Sequence, residues 1–247
     1  MSWITLGLRG GILTTRYPAK PDEMPGSYRG AFAGTDASAE DQERGAASCL
    51  SGAIVPGTCR ATVDVTRCFQ CGQCARTAPQ AFRASPAFEL AIAQDPIDSV
   101  RDRLRARARA FGRSVHLRHV DAGSDGSEEQ ELSAIFNPFY DANRLGIFLT
   151  ATPRHADILV VTGVVTKPMR APLLRTYEAM PEPKTVIALG TSACSGGIFA
   201  ESNAVVGPVS SVLPVDVLIP GAPPSPLSIL HGLWVALDRA PLQGASA

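Results

Sequence analysis

The rhythm of apolar positions changes near residue 114. Beyond it, short β-type runs alternate with longer stretches of helical spacing. Val115–Val120 (VHLRHV) predicts a strand. Ile158–Thr162 (ILVVT) is continuously apolar, as suits a strand covered on both faces. Val186–Leu189 and Val215–Ile219 repeat that pattern. Between and after them, Glu128–Phe136, Ala171–Met180 and Leu227–Leu237, with Pro226 near its start, predict helices. This alternation predicts a parallel sheet with helices on both faces. Ahead of it the pattern weakens. Residues 1–48 read as an extended leader, with Pro and Gly at turn spacing in YPAKPDEMPGSYRG and then the polar stretch GTDASAEDQERGAAS. Residues 98–113 (DSVRDRLRARARAFGR) predict a connecting helix anchored by Val100, Leu104 and Phe111. Its six arginines recur at every second place, which scatters them around a helix, so it reads as a solvated or partner-facing element.

Composition narrows the classes. The chain has 247 residues, 23 Lys+Arg against 23 Asp+Glu, and 45% apolar residues, enough for one large domain or two small ones. A net charge of zero removes the generic argument for nucleic-acid binding. No apolar run reaches the ~18 residues of a membrane helix, and the N-terminus lacks a basic region followed by an apolar stretch. The expected compartment is therefore the cytoplasm, where cysteines act as metal ligands or thiols rather than disulfides.

Five of the six cysteines lie between positions 49 and 74, which predicts a small cysteine-dependent module ahead of the larger domain. Cys68-x-x-Cys71-x-x-Cys74 places three sulfurs in one tight loop. In bacterial ferredoxins such a run continues to a fourth Cys followed by Pro, and that fourth Cys serves the other cluster of a pair. Here the fourth place is Ala78, before Pro79. Cys49 lies in CLSGAI, which resembles the CPxGAI closing the first ferredoxin motif. The three cysteine places ahead of it are Ala39, Gln42 and Gly45. One ligand set, Cys49, Cys68, Cys71 and Cys74, is complete; the other, Ala39, Gln42, Gly45 and Ala78, is lost entire. That pattern predicts one 4Fe–4S cluster. Zinc is the alternative, although zinc sites usually use two separated pairs. Cys59 falls outside both sets and reads as a spare thiol, with exchange for Cys49 as its alternative.

The segments FGRSVHLRHVDAGSDGSEEQEL, ATPRHADILVVTGVVTKPMRAPLLRTYEAMPEPKTVIALGTSACSGGIF and VLPVDVLIPGAPPSPLSILHGL resemble one family over about 111–237. It is the small iron–sulfur subunit of group 4 membrane-bound nickel–iron hydrogenases and formate hydrogenlyase, homologous to the 20 kDa (B-type) subunit of respiratory complex I. The leader and cysteine module resemble the polyferredoxin-type subunit of the same complexes. In that family a proximal 4Fe–4S cluster is held by cysteines of GSCxxCE, of Gly-x-Cys-Ala ahead of SGG, and of PGCPP. The matching positions here are Asp125, Glu128, Ser192 and Ala222, which do not replace four soft thiolates. The resemblance thus implies that the proximal cluster is absent. Asp125, Glu128 and Ser192 then either bind a hard cation or move protons, or are polar residues solvating an emptied site; the second is the simpler reading. Cys194 reads as a small semi-buried thiol. His119 and His155 belong to family phrases and read as packing or hydrogen-bonding groups; His116 and His231 carry no signal.

The sequence therefore predicts a ferredoxin-like (α+β) iron–sulfur module with its leader over 1–97, the connecting helix 98–113, and a flavodoxin-like parallel α/β domain over 114–247. The resemblance implies an electron-transfer subunit with one 4Fe–4S cluster, without catalytic residues of its own. Its implied partners are a hydrogenase-like or complex I-like large subunit and membrane-arm subunits. It would sit peripherally on the cytoplasmic face of the inner membrane, with no span of its own and no nucleic acid. A redox-inactive structural or regulatory subunit is the second reading, and a free one-cluster ferredoxin with an appended domain the third.

Overall fold

The computed structural model describes residues 2–20, 22–93, 102, 105–109 and 114–239. Among them the main sheet has six strands in the order β5-β12-β10-β8-β6-β7. These are β5 (Ile92–Ala93), β6 (Val115–Asp121), β7 (Ile147–Leu149), β8 (Ile158–Thr162), β10 (Thr185–Leu189) and β12 (Val217–Ile219). The five from β6 onward run parallel, and β5 pairs antiparallel with β12 at one edge. Numbered by appearance, the parallel strands lie in the order 2-1-3-4-5, which is the flavodoxin-like order. The α/β expectation is met, and the expected strands appear within a residue or two of their places. β7 and β5 carry too few apolar residues for periodicity to have marked them.

Strand β8 is central, and its register divides the core. Ile158 and Val160 face one cluster, with Leu230, Leu233 and Ile187; Leu159 and Val161 face the other, with Leu173, Val186 and Ala193. A strand buried on both faces needs no polar alternation, which is why its sequence is continuously apolar.

Two further strands, β9 (Val165–Thr166) and β11 (Val205–Gly207), pair antiparallel outside the main sheet, and the α-helices among the described residues include α1 (Trp3–Gly10), α2 (Ala39–Ala47), α3 (Gln73–Thr77), α4 (Ser127–Ala134), α5 (Arg170–Ala179), α6 (Thr191–Ser195) and α7 (Pro226–Ala236). Of the predicted connecting helix, 105–109 is helical and ties back through Arg105 to Asp238 and Arg107 to Asp216, each at 2.8 Å. The rest of that expectation lies largely outside the described residues.

Helix α7 is buried along its whole length. A helix apolar on every side must be covered on every side. The sheet covers one side. The leader covers another, with Tyr17, Met24 and Tyr28 packed into the same cluster. The leader is pinned by Thr15 N donating to the Phe139 carbonyl (2.7 Å) and by Arg144 donating to the Thr15 carbonyl (3.0 Å).

Residues 32–84 form a second, smaller core. Two strand–helix–strand units, β1 (Phe32–Gly34)–α2–β2 (Ile54–Val55) and β3 (Thr62–Val63)–α3–β4 (Phe82–Ala84), pair antiparallel as β1 with β4 and β2 with β3. Phe32, Ile54, Cys74, Ala78 and Phe82 pack between them. Helix α2 falls in what read as extended leader. It forms because Ser38 caps it, accepting from Asp41 N at 3.2 Å, with Glu40 and Asp41 in the first turn.

Gly232 shows how tightly α7 meets the sheet: a methyl there would lie 2.2 Å from Ile219 Cδ1. Ile219 is buried and cannot yield freely. Gly232→Ala is therefore expected to lower stability by about 1–2 kcal/mol, overpacking outweighing the better helix propensity of alanine. Thermal unfolding decides it; a stabilised variant would contradict this packing.

Candidate cysteine site and the carboxyl edge of the sheet

Cys49, Cys68, Cys71 and Cys74 line one cavity of about 240 Å³. Cys49 follows α2, Cys68 and Cys71 lie in the loop before α3, and Cys74 lies in α3. Left-handed backbone at Gln70 (φ 56°) and Gly72 (φ 74°) folds the loop tightly enough to bring them together. Arg29 Nη1 donates to the Cys71 carbonyl at 3.0 Å and holds it from outside. The remaining walls include Leu50, Ile54, Val63, Phe69 and Ile198. Cys59 is exposed and is not among the lining residues.

Two backbone amides point at sulfur, Ala53 N to Cys49 Sγ and Gln70 N to Cys68 Sγ, each at 3.4 Å. Both favour a charged sulfur. Burial works against them: it pushes the Cys68 thiol up to about 11, the neighbouring cysteines adding a little, and raises Cys74 as well. As free thiols these two stay protonated at neutral pH, and a cationic group in the cavity is what would draw the protons off. Among the described residues, no three His, Cys, Asp or Glu side chains are gathered to hold a single metal ion.

The other predicted ligand set has become ordinary protein. Ala39 is exposed and Ala78 fully buried. Gly45 lies against the Phe82 ring, with no room for a methyl. Gln42, 0% exposed, satisfies its amide completely. Nε2 donates to the carbonyls of Ala37 (3.0 Å) and Cys59 (3.2 Å), and Oε1 accepts from Gly57 N (3.0 Å).

At the carboxyl edge of the main sheet, Asp125 lies in the loop after β6 and Glu128 in the first turn of α4, Ser192 lies in α6 just after β10, and Ala222 lies in the loop after β12. Asp125 is exposed, and its carboxylate accepts from Ser127 N (2.9 Å) and Ser127 Oγ (2.6 Å), which holds its pKa down. Glu128, 5% exposed, lies against Gly190, and burial raises its pKa, with Asp125 and Glu129 adding repulsion. Ser192 and Ala222 are half-buried. Cys194 is buried behind this edge and hydrogen-bonds the Ala188 carbonyl at 3.5 Å; burial raises its pKa strongly. Hard carboxylates tied to their own turn, one hydroxyl and one methyl do not fit an iron–sulfur group.

The histidines stand apart from any metal geometry. His119 Nε2 lies 2.9 Å from Thr162 Oγ1, which in turn donates to Glu129; Ser124 Oγ also donates to Glu129, at 2.6 Å. Burial lowers the His119 pKa. His116 stacks on Phe148 and lies 3.5 Å from Asp157. His155 is exposed. His231 is buried, and its Nδ1 accepts from Ala91 N at 3.4 Å.

Four residues beside the cysteines escaped the sequence reading: Phe69, Thr191, Gly197 and Ile198. Their marks were faint, a phenylalanine inside the cysteine loop and a glycine pair before Ile-Phe.

A family model for the 20 Kd subunit of NADH ubiquinone oxidoreductase matches residues 126–236. The "Probable membrane-bound hydrogenase subunit mbhJ" of Pyrococcus furiosus is 42% identical over 146 residues, covering 58% of this chain and 87% of the relative. "Formate hydrogenlyase subunit 7" of Escherichia coli is 45% identical over 125 residues, covering 51% of this chain and 49% of the relative. Among solved structures, a chain of the membrane-bound sulfane sulfur reductase, an archaeal respiratory membrane complex, aligns with a TM-score of 0.48 and 28% identity, covering 54% of this chain and 74% of that one.

Two expectations follow from these geometries. Gln42→Ala should cost about 2–3 kcal/mol, because it removes three buried hydrogen bonds and strands Gly57 N; chemical denaturation measures it, and a neutral result would show the amide to be dispensable. Glu128 has a folded pKa raised above its ordinary 4.5, so the fold loses stability as pH rises through that window. Glu128→Gln should therefore melt higher than wild type near pH 7, with the advantage shrinking toward pH 4.5. Parallel melting curves across that range would refute this.

Proposed function

This chain belongs to the family of the 20 Kd subunit of NADH ubiquinone oxidoreductase, and from that we propose that it is an electron-transfer subunit of a hydrogenase-like or NADH-quinone oxidoreductase-like membrane complex, carrying one 4Fe–4S cluster on Cys49, Cys68, Cys71 and Cys74. The observation that carries the proposal is the single cavity lined by all four sulfurs. Its volume of about 240 Å³ far exceeds the roughly 10–15 Å³ that admits one water, which leaves room for a polynuclear group. Four soft donors with apolar walls are the donor chemistry of such a group. The paired strand–helix–strand units that carry the cysteines support a ferredoxin-like module within 1–97.

A cluster bound there supplies one-electron transfer. The protein supplies the rest. The amides of Ala53 and Gln70 donate to sulfur, which favours the more negative, reduced state. The apolar walls shield the inner side of the cavity, where Cys74 is buried. Cys71 is exposed, so the site reaches the surface, where Leu50 (94% exposed) and Ile198 (54%) form an apolar rim suited to a docking partner. The expected partners are a large subunit and membrane-arm subunits of the complex. Among the described residues no helix is long and apolar enough to cross a membrane. Peripheral attachment through partners, on the cytoplasmic face, is part of the proposal.

The donor set at Asp125, Glu128, Ser192 and Ala222 favours a second reading, a structural or regulatory subunit whose α/β domain keeps its docking role without redox function.

Iron and acid-labile sulfide per chain, with electron paramagnetic resonance after dithionite reduction, separates the readings. Anaerobically purified wild type should hold about four irons and one cluster signal, lost in Cys71→Ala. About eight irons would mean that the carboxyl edge also holds a cluster. No iron would move the assignment to the structural subunit.

A further inference from the structure

The cysteine loop does not stand clear of the α/β domain. Thr191 Oγ1 donates to the Cys68 carbonyl at 3.1 Å, across 123 residues of sequence. The same oxygen accepts from Gly221 N at 3.2 Å, so one buried hydroxyl ties together α6, the loop after β12 and the cysteine loop. Phe69, between Cys68 and Cys71, packs onto Gly197. A methyl at Gly197 would lie 2.8 Å from its ring and 3.2 Å from Ser192 Oγ, and the backbone there is left-handed (φ 54°). Ile198, the next residue, is a wall of the cysteine cavity.

Thr191, Ser192, Gly197 and Ile198 all follow β10, at the carboxyl edge where an open α/β sheet takes its ligands. That edge offers no thiolate. Phe69 and Ser192 both border Gly197, and Glu128 fills the space beside Gly190.

We infer that the cysteine loop is itself the occupant of the α/β domain's carboxyl edge, and that Thr191, Gly197 and Ile198 are positioning residues for the group on Cys49, Cys68, Cys71 and Cys74. The inference rests on the proposed reading that these cysteines hold an iron–sulfur cluster. The three residues act differently. Thr191 fixes the carbonyl of a ligand residue. Gly197 leaves room for the Phe69 ring, which sets the loop's distance from the edge. Ile198 keeps water from the cavity; water beside a cluster stabilises its more negative reduced state and raises its potential. The α/β domain thereby tunes a group it does not ligate.

The test uses the full chain, purified anaerobically, as wild type, Thr191→Val, Gly197→Ala and Ile198→Ser. Iron content, midpoint potential by redox titration followed with electron paramagnetic resonance, and the rate of iron loss to a chelator are measured. All three variants should load iron as wild type does. Thr191→Val should lose it roughly fivefold faster, the effect of one hydrogen bond. Ile198→Ser should shift the potential upward, and Gly197→Ala should change both readouts. Ile198 is half exposed, so its variant decides the matter alone should Gly197→Ala fail to fold. Iron-loaded variants with wild-type potentials and chelator rates overturn the inference and leave the cluster reading standing. A wild type without iron overturns the cluster reading and this inference with it.

Discussion

The burial of α7 is the constraint on which the rest of the arrangement hangs. Eleven consecutive residues of that helix are buried. Fully burying one leucine or isoleucine contributes about 1.5–3 kcal/mol, so leaving a face of α7 wet would cost several times that. The sheet alone cannot cover a helix on all sides. The leader must cross it, and the crossing sets where the leader ends. Tyr28 reaches Ser225, the cap of α7, with oxygens 3.5 Å apart. The next residue, Arg29, grips the Cys71 carbonyl. Covering a helix in the α/β domain thus delivers the N-terminal strands to the carboxyl edge of the sheet, cysteine loop first.

At that edge the forces are individually small. One hydrogen bond from Thr191 contributes about 1 kcal/mol, and the Phe69 contact adds dispersion. They act together because the loop has little freedom left: two left-handed residues fix its backbone, and the small β1–β4 core fixes its ends. The thiols themselves do not favour the arrangement, since burial keeps Cys68 and Cys74 protonated. A buried, neutral thiol costs little, and its conversion to thiolate is coupled to whatever positive charge enters the cavity. The cavity is therefore compatible with a folded chain before it is loaded.

What could be read from the sequence divides along physical lines. Strands such as Ile158–Thr162 were legible because burial on both faces leaves an unbroken apolar run. Cys68, Cys71 and Cys74 were legible because their spacing is a local property of one loop, and Cys49 because its phrase CLSGAI resembles the close of a ferredoxin motif. Helix α2 was not, because its driving features are a cap and two acidic residues in a polar segment. β5 and β7, of two and three residues, form because a neighbouring strand offers a ladder. Thr191, Gly197 and Ile198 were invisible for a stronger reason. Their partner lies more than a hundred residues away, and nothing in Ser-Gly-Gly-Ile-Phe specifies a phenylalanine ring against it.

The positions that read as lost ligands differ in how they were reused, and the difference has a physical sense. Gln42 and Asp125 became parts of the backbone's own hydrogen-bond economy, one joining three loops and the other closing the turn at Ser127. Gly45 made room for an aromatic ring, and Ala78 vanished into the core. Glu128 is the exception: buried, raised in pKa and beside two other carboxylates, it carries a cost that a neutral amide would avoid. Its neighbour Glu129 is instead well served, by Thr162 and Ser124, in a chain that reaches His119. A carboxylate kept at a cost thus stands next to one held by hydrogen bonds. Asp125, Glu128, Ser192 and Ala222 supply no soft donor here, and the electron-carrying chemistry proposed for the chain rests on the cysteine cavity beside this edge.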